Sequence, residues 1–161
     1  PVAQAYTKSR LMVVGDGELS GMLRTLAEEL GIIDRVIFPG FRKDIKSMYS
    51  AFDIYAHTSV EGGGETFPYA MLHALAQELP MVITRVGDMP AMVREGVSGF
   101  VLEDKDVKGI SEKLLLLCGD EKLRKEMGKK SFELMMEKFT VDIMTANIEN
   151  VYYKVLNEAS R

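Results

Sequence analysis

Two patterns of apolar residues alternate along this chain, and the alternation predicts the fold. The first is the short, uninterrupted apolar run. Such runs stand at residues 10–14 (R-L-M-V-V), 36–38 (V-I-F), 54–57 (I-Y-A-H), 81–84 (M-V-I-T) and 99–102 (G-F-V-L). The second is the helical period, clearest in Leu19, Met22, Leu23, Leu26, Ala27 and Leu30, with Gly31 as a stop. Ile45, Met48, Tyr49 and Phe52 repeat it over residues 44–52, and residues 67–78 carry it up to Pro80. A short helix is expected over 90–94, and longer ones over 107–118, 121–138 and 141–157. The strands are apolar throughout rather than on every second residue. That pattern predicts a parallel sheet buried on both faces, hence an α/β, doubly wound, Rossmann-like single domain. Ligands of such sheets bind at the carboxyl ends of the strands.

Composition narrows the function more than the fold. The chain has 161 residues, enough for one substantial core. It is 47% hydrophobic and 27% charged, an ordinary globular balance. A formal charge of −4 gives no broad electrostatic case for nucleic acid or an anionic membrane. No apolar run approaches the ~20 residues of a membrane span, and the opening residues P-V-A-Q-A-Y-T-K-S-R lack the apolar core of a signal peptide. The single cysteine, Cys118, excludes an internal disulfide and suits the cytoplasm. Two histidines and one cysteine at scattered spacing make no zinc site. Neither a Ser-His-Asp nor a Cys-His set is visible, and no acidic cluster suits magnesium.

The stretch from Ser59 to Pro80, S-V-E-G-G-G-E-T-F-P-Y-A-M-L-H-A-L-A-Q-E-L-P, concentrates the candidate chemistry. It leaves a strand, crosses Gly62, Gly63 and Gly64, and enters a helix with Thr66 as the expected N-cap and Pro68 in the first turn. Strand, glycine loop and helix N-terminus together hold phosphate, through free N–H groups and the helix dipole. Glu65 stands at the mouth of that arrangement. A carboxylate there repels phosphate and is better suited to accept hydrogen bonds from ligand hydroxyls. Elsewhere, Gly15-Asp16-Gly17 begins like a dinucleotide fingerprint, but the next glycine is Gly21, one residue late. The following strand also ends in Phe38-Pro39-Gly40 rather than in the acid that holds a ribose, which counts against NAD.

The 59–80 stretch resembles the signature of family 4 retaining, nucleotide-sugar-dependent glycosyltransferases of the GT-B type. Glu65-Thr66-Phe67-Pro68 stands where that family has Glu-Gly-Phe-Gly, and His73-Ala74-Leu75-Ala76 where it has Glu-Ala-Met-Ala. V-V-G-D-G-E is similar to its Gly-x-Gly-Pro turn, which lines the donor cleft through Gly15 and Gly17. Phe38-Pro39-Gly40-Phe41-Arg42 resembles its Phe-x-Gly segment, which makes Phe41 and Arg42 the expected nucleobase contacts. Arg85-Val86-Gly87-Asp88-Met89-Pro90 is similar to its Gly-Gly-x-Pro-Glu loop, with Ala91 in place of the usual acid. The resemblance implies Glu65 as the catalytic, sugar-contacting residue, Thr66 and Phe67 as the backbone facing sugar and phosphate, and His73 as the residue facing ribose. Two departures bear on this. Pro68 lacks an N–H to give, and imidazole offers one donor and one acceptor where a carboxylate accepts two hydroxyls. Glu61 competes with Glu65 for its role.

The resemblance runs in order from Leu11 to about Tyr153, and only to the carboxyl-terminal, donor-binding domain. It implies that residues 1–161 are that domain, without an N-terminal acceptor domain and without the first strand and the Arg- and Lys-bearing loop that neutralise the diphosphate. That strand lies mid-sheet in the family. The sheet is therefore expected to close differently, to be completed by another chain through self-association, or to use residues 1–10 in a new way. The implied function is binding of a UDP-, GDP- or ADP-sugar for hexosyl transfer with retention, in glycan, lipopolysaccharide or glycolipid synthesis. No metal or other cofactor is implied, and the implied partners are the nucleotide-sugar, an acceptor glycan or lipid, and membrane only peripherally through a full-length protein. The isolated chain is expected to be inactive in transfer. Two other classes stay open: a degenerate, non-catalytic binding or assembly module, and a different Rossmann-like ligand binder.

Overall fold

The computed structural model describes residues 1–159. Its elements are α1 (Val2–Ala5), β1 (Leu11–Val14), α2 (Ser20–Glu29), β2 (Val36–Gly40), α3 (Ile45–Tyr49), β3 (Tyr55–His57), α4 (Tyr69–Ala76), β4 (Met81–Thr84), β5 (Gly99–Leu102), α5 (Val107–Gly119), α6 (Glu121–Lys138) and α7 (Val141–Ala159). Two 3-10 turns, Ile33–Arg35 and Met89–Met92, lie before β2 and after β4. The fold is mixed α/β, and every paired strand is parallel to its neighbour, as the apolar runs predict.

The core gathers on β4, whose four residues are all buried. Strand alternation divides them between two layers. Met81 and Ile83 face a cluster built with Met71 and Leu75 of α4, Met89 and Met92 of the 3-10 turn, and Leu134 of α6. Val82 faces the other way, onto Phe100, Leu117 of α5 and Met127. Helices therefore cover both faces of this sheet. The buried sulfurs sit among aliphatic side chains, where methionine fills irregular space well.

The strands form two sheets, β1-β2 and β3-β4-β5, and no described strand joins them. Of the expected ways to close the sheet, the one that uses residues 1–10 takes the form of a short helix, Val2–Ala5, rather than a strand. This helix packs on α5, and the Arg35 guanidinium donates to the Ala3 carbonyl, which ties the first sheet to the second. The first sheet is thinly covered. Residues 1–44 contribute one buried apolar side chain, Ala27, while Leu11, Val14, Leu19, Met22 and Leu30 stay exposed.

One helix start differs from expectation. The chain reaches the α region at Tyr69, with Pro68 as N-cap at φ −72° and ψ 121°, and no side chain caps it. Proline disfavours helical backbone at the residue before it, so Phe67 stays outside the helix and Thr66 is two residues too early to cap. Thr66 serves the loop instead: its carbonyl accepts from the Asp88 N–H at 2.9 Å.

Candidate functional site

The carboxyl ends of the strands carry the candidate residues. At the first sheet, Gly15 (φ 114°) turns the chain out of β1, and its N–H donates to the Gly40 carbonyl at 3.1 Å. The Gly15–Gly17 turn and the Phe41-Arg42 segment are thus side by side. Phe41 is 74% exposed, open to stack on a flat ligand. Arg42 is forked onto Asp44, with Nε and Nη2 at 2.7 and 2.6 Å from its two carboxylate oxygens. The hydrogen bonds from Arg42 hold the Asp44 carboxyl below its ordinary range, and Asp44 in turn raises Arg42.

At the second sheet, Tyr55 and His57 lie two residues apart on one face of β3. The Tyr55 hydroxyl is 2.7 Å from His57 Nδ1, and His57 Nε2 is 3.1 Å from Glu65 Oε2. Tyr55 is buried, and burial drives its phenol well above the ordinary tyrosine range, with the Tyr49 and Glu65 charges adding to the shift. It stays protonated throughout the accessible pH range. Glu65 keeps 29% of its side chain exposed, enough to meet a ligand. Glu61 is exposed further out, where its N–H donates to Asp104 at 3.2 Å.

The loop that carries Glu65 is held from below. Thr84, 1% exposed, donates its hydroxyl to the Ser59 carbonyl at 2.6 Å and so pins the loop's start. Its end rests on the β4 turn. A Cβ on Gly87, which has φ +52°, would lie 2.6 Å from the Glu65 carbonyl oxygen and 2.9 Å from Thr66 Cα. Gly87→Ala is therefore expected to push this loop outward and to cost about 2 kcal/mol or more of stability. Gly96→Ala is the control, since Gly96 shares a positive φ (+69°) but has open space around it. Thermal unfolding should show Gly87→Ala falling further; equal losses would mean that only backbone conformation matters there.

His73 lies on α4, exposed, with its ring centroid 5.6 Å from that of Tyr49. Tyr49 stacks in turn on Tyr55 at 5.9 Å. The two halves of the motif are thus joined through one chain of side chains: His73, Tyr49, Tyr55, His57, Glu65. Beside His73 opens a cleft of about 440 Å³, lined also by Lys43, Lys46, Tyr49 and Gln77. The lysines bring positive charge to its wall, which Asp44 partly offsets. Cys118, at a distance in α5, is half-buried, and burial pushes its thiol up.

Sequence reasoning passed over three of these residues. His57 ends β3, at the sheet edge where ligands bind, and that position was the available signal. Tyr55 shares its strand face, but nothing local marks Thr84 as the loop's anchor.

Comparison with known proteins identifies the fold and the family. The family model "Glycosyl transferases group 1" matches residues 2–134. The N-acetyl-alpha-D-glucosaminyl L-malate synthase of Bacillus anthracis is 30% identical over 98% of this chain and 42% of its own length, so the chain spans less than half of that relative. The crystal structure of the C-terminal domain of LpcC, a group 1 family protein from Francisella tularensis, superposes with a TM-score of 0.77 at 26% identity, over 87% of this chain and 74% of that one. Anabaena Alr3699/HepE, solved in complex with UDP, shares the fold with a TM-score of 0.85 at 24% identity, over 94% of this chain and 43% of its own. A match over most of the chain, a relative aligned along almost all of it and a shared fold agree: this chain belongs to the group 1 glycosyltransferase family.

Proposed function

We propose that the chain is the donor-binding domain, residues 1–161, of a family 4 enzyme that transfers a hexosyl group with retention from a nucleoside-diphosphate sugar. The observation that carries this reading is the connected set from His73 to Glu65, with the cleft at one end and a half-exposed carboxylate at the other. The cleft takes the nucleoside, with Phe41 and Arg42 toward the base, His73 toward the ribose, and Gly15 and Gly17 lining the side of the first sheet. Glu65 accepts hydrogen bonds from sugar hydroxyls, and the backbone of Thr66 and Phe67 faces sugar and phosphate. The charge of the leaving diphosphate is where preorganised electrostatics contributes most to such a transfer. Lys43 and Lys46 supply part of it from the cleft wall.

The Bacillus anthracis relative is named as an N-acetyl-alpha-D-glucosaminyl L-malate synthase, and HepE is solved with UDP; both support a nucleotide-sugar donor. Acceptor recognition belongs to a second domain in this reading, the pathway is polysaccharide or glycolipid synthesis, and the place is the cytoplasm. None of the described helices is long and apolar enough to cross a membrane. Saturation-transfer NMR of the chain with UDP, GDP, ADP, their sugar conjugates and NAD tests the proposal. One nucleotide family is expected to show transfer, with the sugar ring also saturated. Transfer from NAD alone, or silence across the panel, overturns it, silence in favour of a degenerate module.

A further inference from the structure

We infer that His57 is a positioning residue that orients the Glu65 carboxylate for the donor sugar, with Tyr55 setting the imidazole. This rests on the donor-site reading above. The Tyr55 hydroxyl lies 2.7 Å from Nδ1, and Nε2 lies 3.1 Å from Glu65 Oε2. Tyr55 is buried, and its phenol is held protonated far beyond neutral pH by that burial. A carboxylate only accepts, so the contact with Glu65 needs a proton on Nε2; in the neutral ring Nδ1 is then bare and accepts from the Tyr55 O–H. That proton points at the carboxylate, and a neutral imidazole has only this one N–H to give.

The consequence for Glu65 is geometric. Its loop contains Gly62, Gly63 and Gly64, and glycine leaves backbone direction weakly specified. A free carboxylate on such a loop samples several rotamers. The His57 N–H occupies one lone pair of Oε2 and leaves Oε1 to accept from ligand hydroxyls. His57 is itself held: its side chain is 16% exposed, and its strand pairs with β4 at Ile83. The arrangement transmits the rigidity of the sheet to a carboxylate on a glycine-rich loop, as supporting hydrogen bonds do for ligating groups elsewhere.

Paired substitutions separate positioning from packing. His57→Gln places an amide N–H near the position of Nε2 and keeps the bond to Glu65. His57→Asn places its amide near Nδ1, answers Tyr55 and leaves Glu65 without a donor. Calorimetric or NMR titration of each variant uses two ligands, a nucleoside-diphosphate sugar that the unmodified chain binds and the same nucleotide without sugar. The expected result is about a tenfold loss of sugar-conjugate affinity in His57→Asn, corresponding to one charge-assisted hydrogen bond. Bare-nucleotide affinity stays unchanged, and His57→Gln stays near the parent value for both ligands. Nitrogen shifts of His57 in the ligand-free chain should report Nε2–H and a bare Nδ1. Equal losses in the two variants, equal losses for the two ligands, or a proton on Nδ1 in the neutral ring would each overturn the proposal while the donor reading stands. Failure of the unmodified chain to bind any nucleotide overturns both.

Discussion

Glu65→Ala is expected to weaken binding of a nucleoside-diphosphate sugar by about 2 to 3 kcal/mol, roughly thirty- to a hundred-fold, and to leave the bare nucleotide nearly unaffected. The size follows from what the carboxylate does in this reading. It accepts from two sugar hydroxyls, and hydrogen bonds to a charged acceptor are the strong ones. With alanine the hydroxyls return to water, or stay in the site without partners. The selectivity for the sugar follows from distance along the chain of side chains. Glu65 contacts His57, whereas the cleft is lined by Tyr49 and His73, two and three members beyond His57. Calorimetric titration with both ligands checks it, and equal losses for the two would remove Glu65 from the sugar site. Folding should change little, because 29% of the Glu65 side chain is exposed.

Gly128→Ala is expected to give the largest loss of stability among the glycine substitutions. A Cβ at that position would lie 1.9 Å from the Glu78 carbonyl oxygen and 2.8 Å from its carbon. Both are backbone atoms, and Glu78 is fixed at φ 54° just beyond α4. No side-chain rotation relieves the contact, so α6 must lift from α4. The same seam holds Leu134, 1% exposed, and Ser131, whose hydroxyl donates to the Ser98 carbonyl at 3.1 Å. Overpacking against fixed backbone costs about 3 kcal/mol or more. Alanine's better helix propensity returns about 1 kcal/mol. The net loss of about 2 kcal/mol or more corresponds to a melting temperature lower by roughly 4–8 °C for a chain of this size. Gly119→Ala, at the open end of α5 with no atom near its Cβ, should leave it unchanged or higher. A Gly128→Ala variant as stable as the parent would mean that the α4–α6 seam is looser than described.

The parts of the fold that sequence reasoning placed well are those with hard punctuation. Residues 81–84 and 99–102 are strands with the expected bounds, since Pro80 and Ser98-Gly99 set their starts and Gly87 and Asp104 lie just beyond their ends. The expected 121–138 helix also has its bounds, with Asp120 accepting from the Leu123 N–H as its cap. Residues 2–5 and 33–35 were not legible as helical, because three or four residues are too few for a 3.6-residue period to show. α4 starts two residues beyond the expected position because the constraint that Pro68 puts on Phe67 overrides the N-cap preference of Thr66. The division into two sheets is a property of which strands pair, and single-strand patterns carry no pairing information.

The candidate site was legible where a motif reports backbone shape and illegible where it depends on a partner. Glu65 and His73 are found from the 59–80 stretch alone, and the structure sets them at two ends of one chain of side chains. Arg42 is found the same way, but its fork onto Asp44 depends on the turn after β2. His57 meets Glu65 across seven intervening residues, three of them glycine, and no residue pattern specifies the path of such a loop.

The central claim is that the cleft beside His73 and the Glu65 loop are two ends of one donor site. Mapping amide shifts of the labelled chain during titration with a nucleoside diphosphate, then with its sugar conjugate, tests it most directly. The bare nucleotide is expected to move residues 15–17, 41–49, 66–67 and 73–77 only. The conjugate is expected to move those and, in addition, residues 57–65. Sugar-dependent shifts that miss the Glu65 loop, or nucleotide shifts that miss the cleft, would contradict the account.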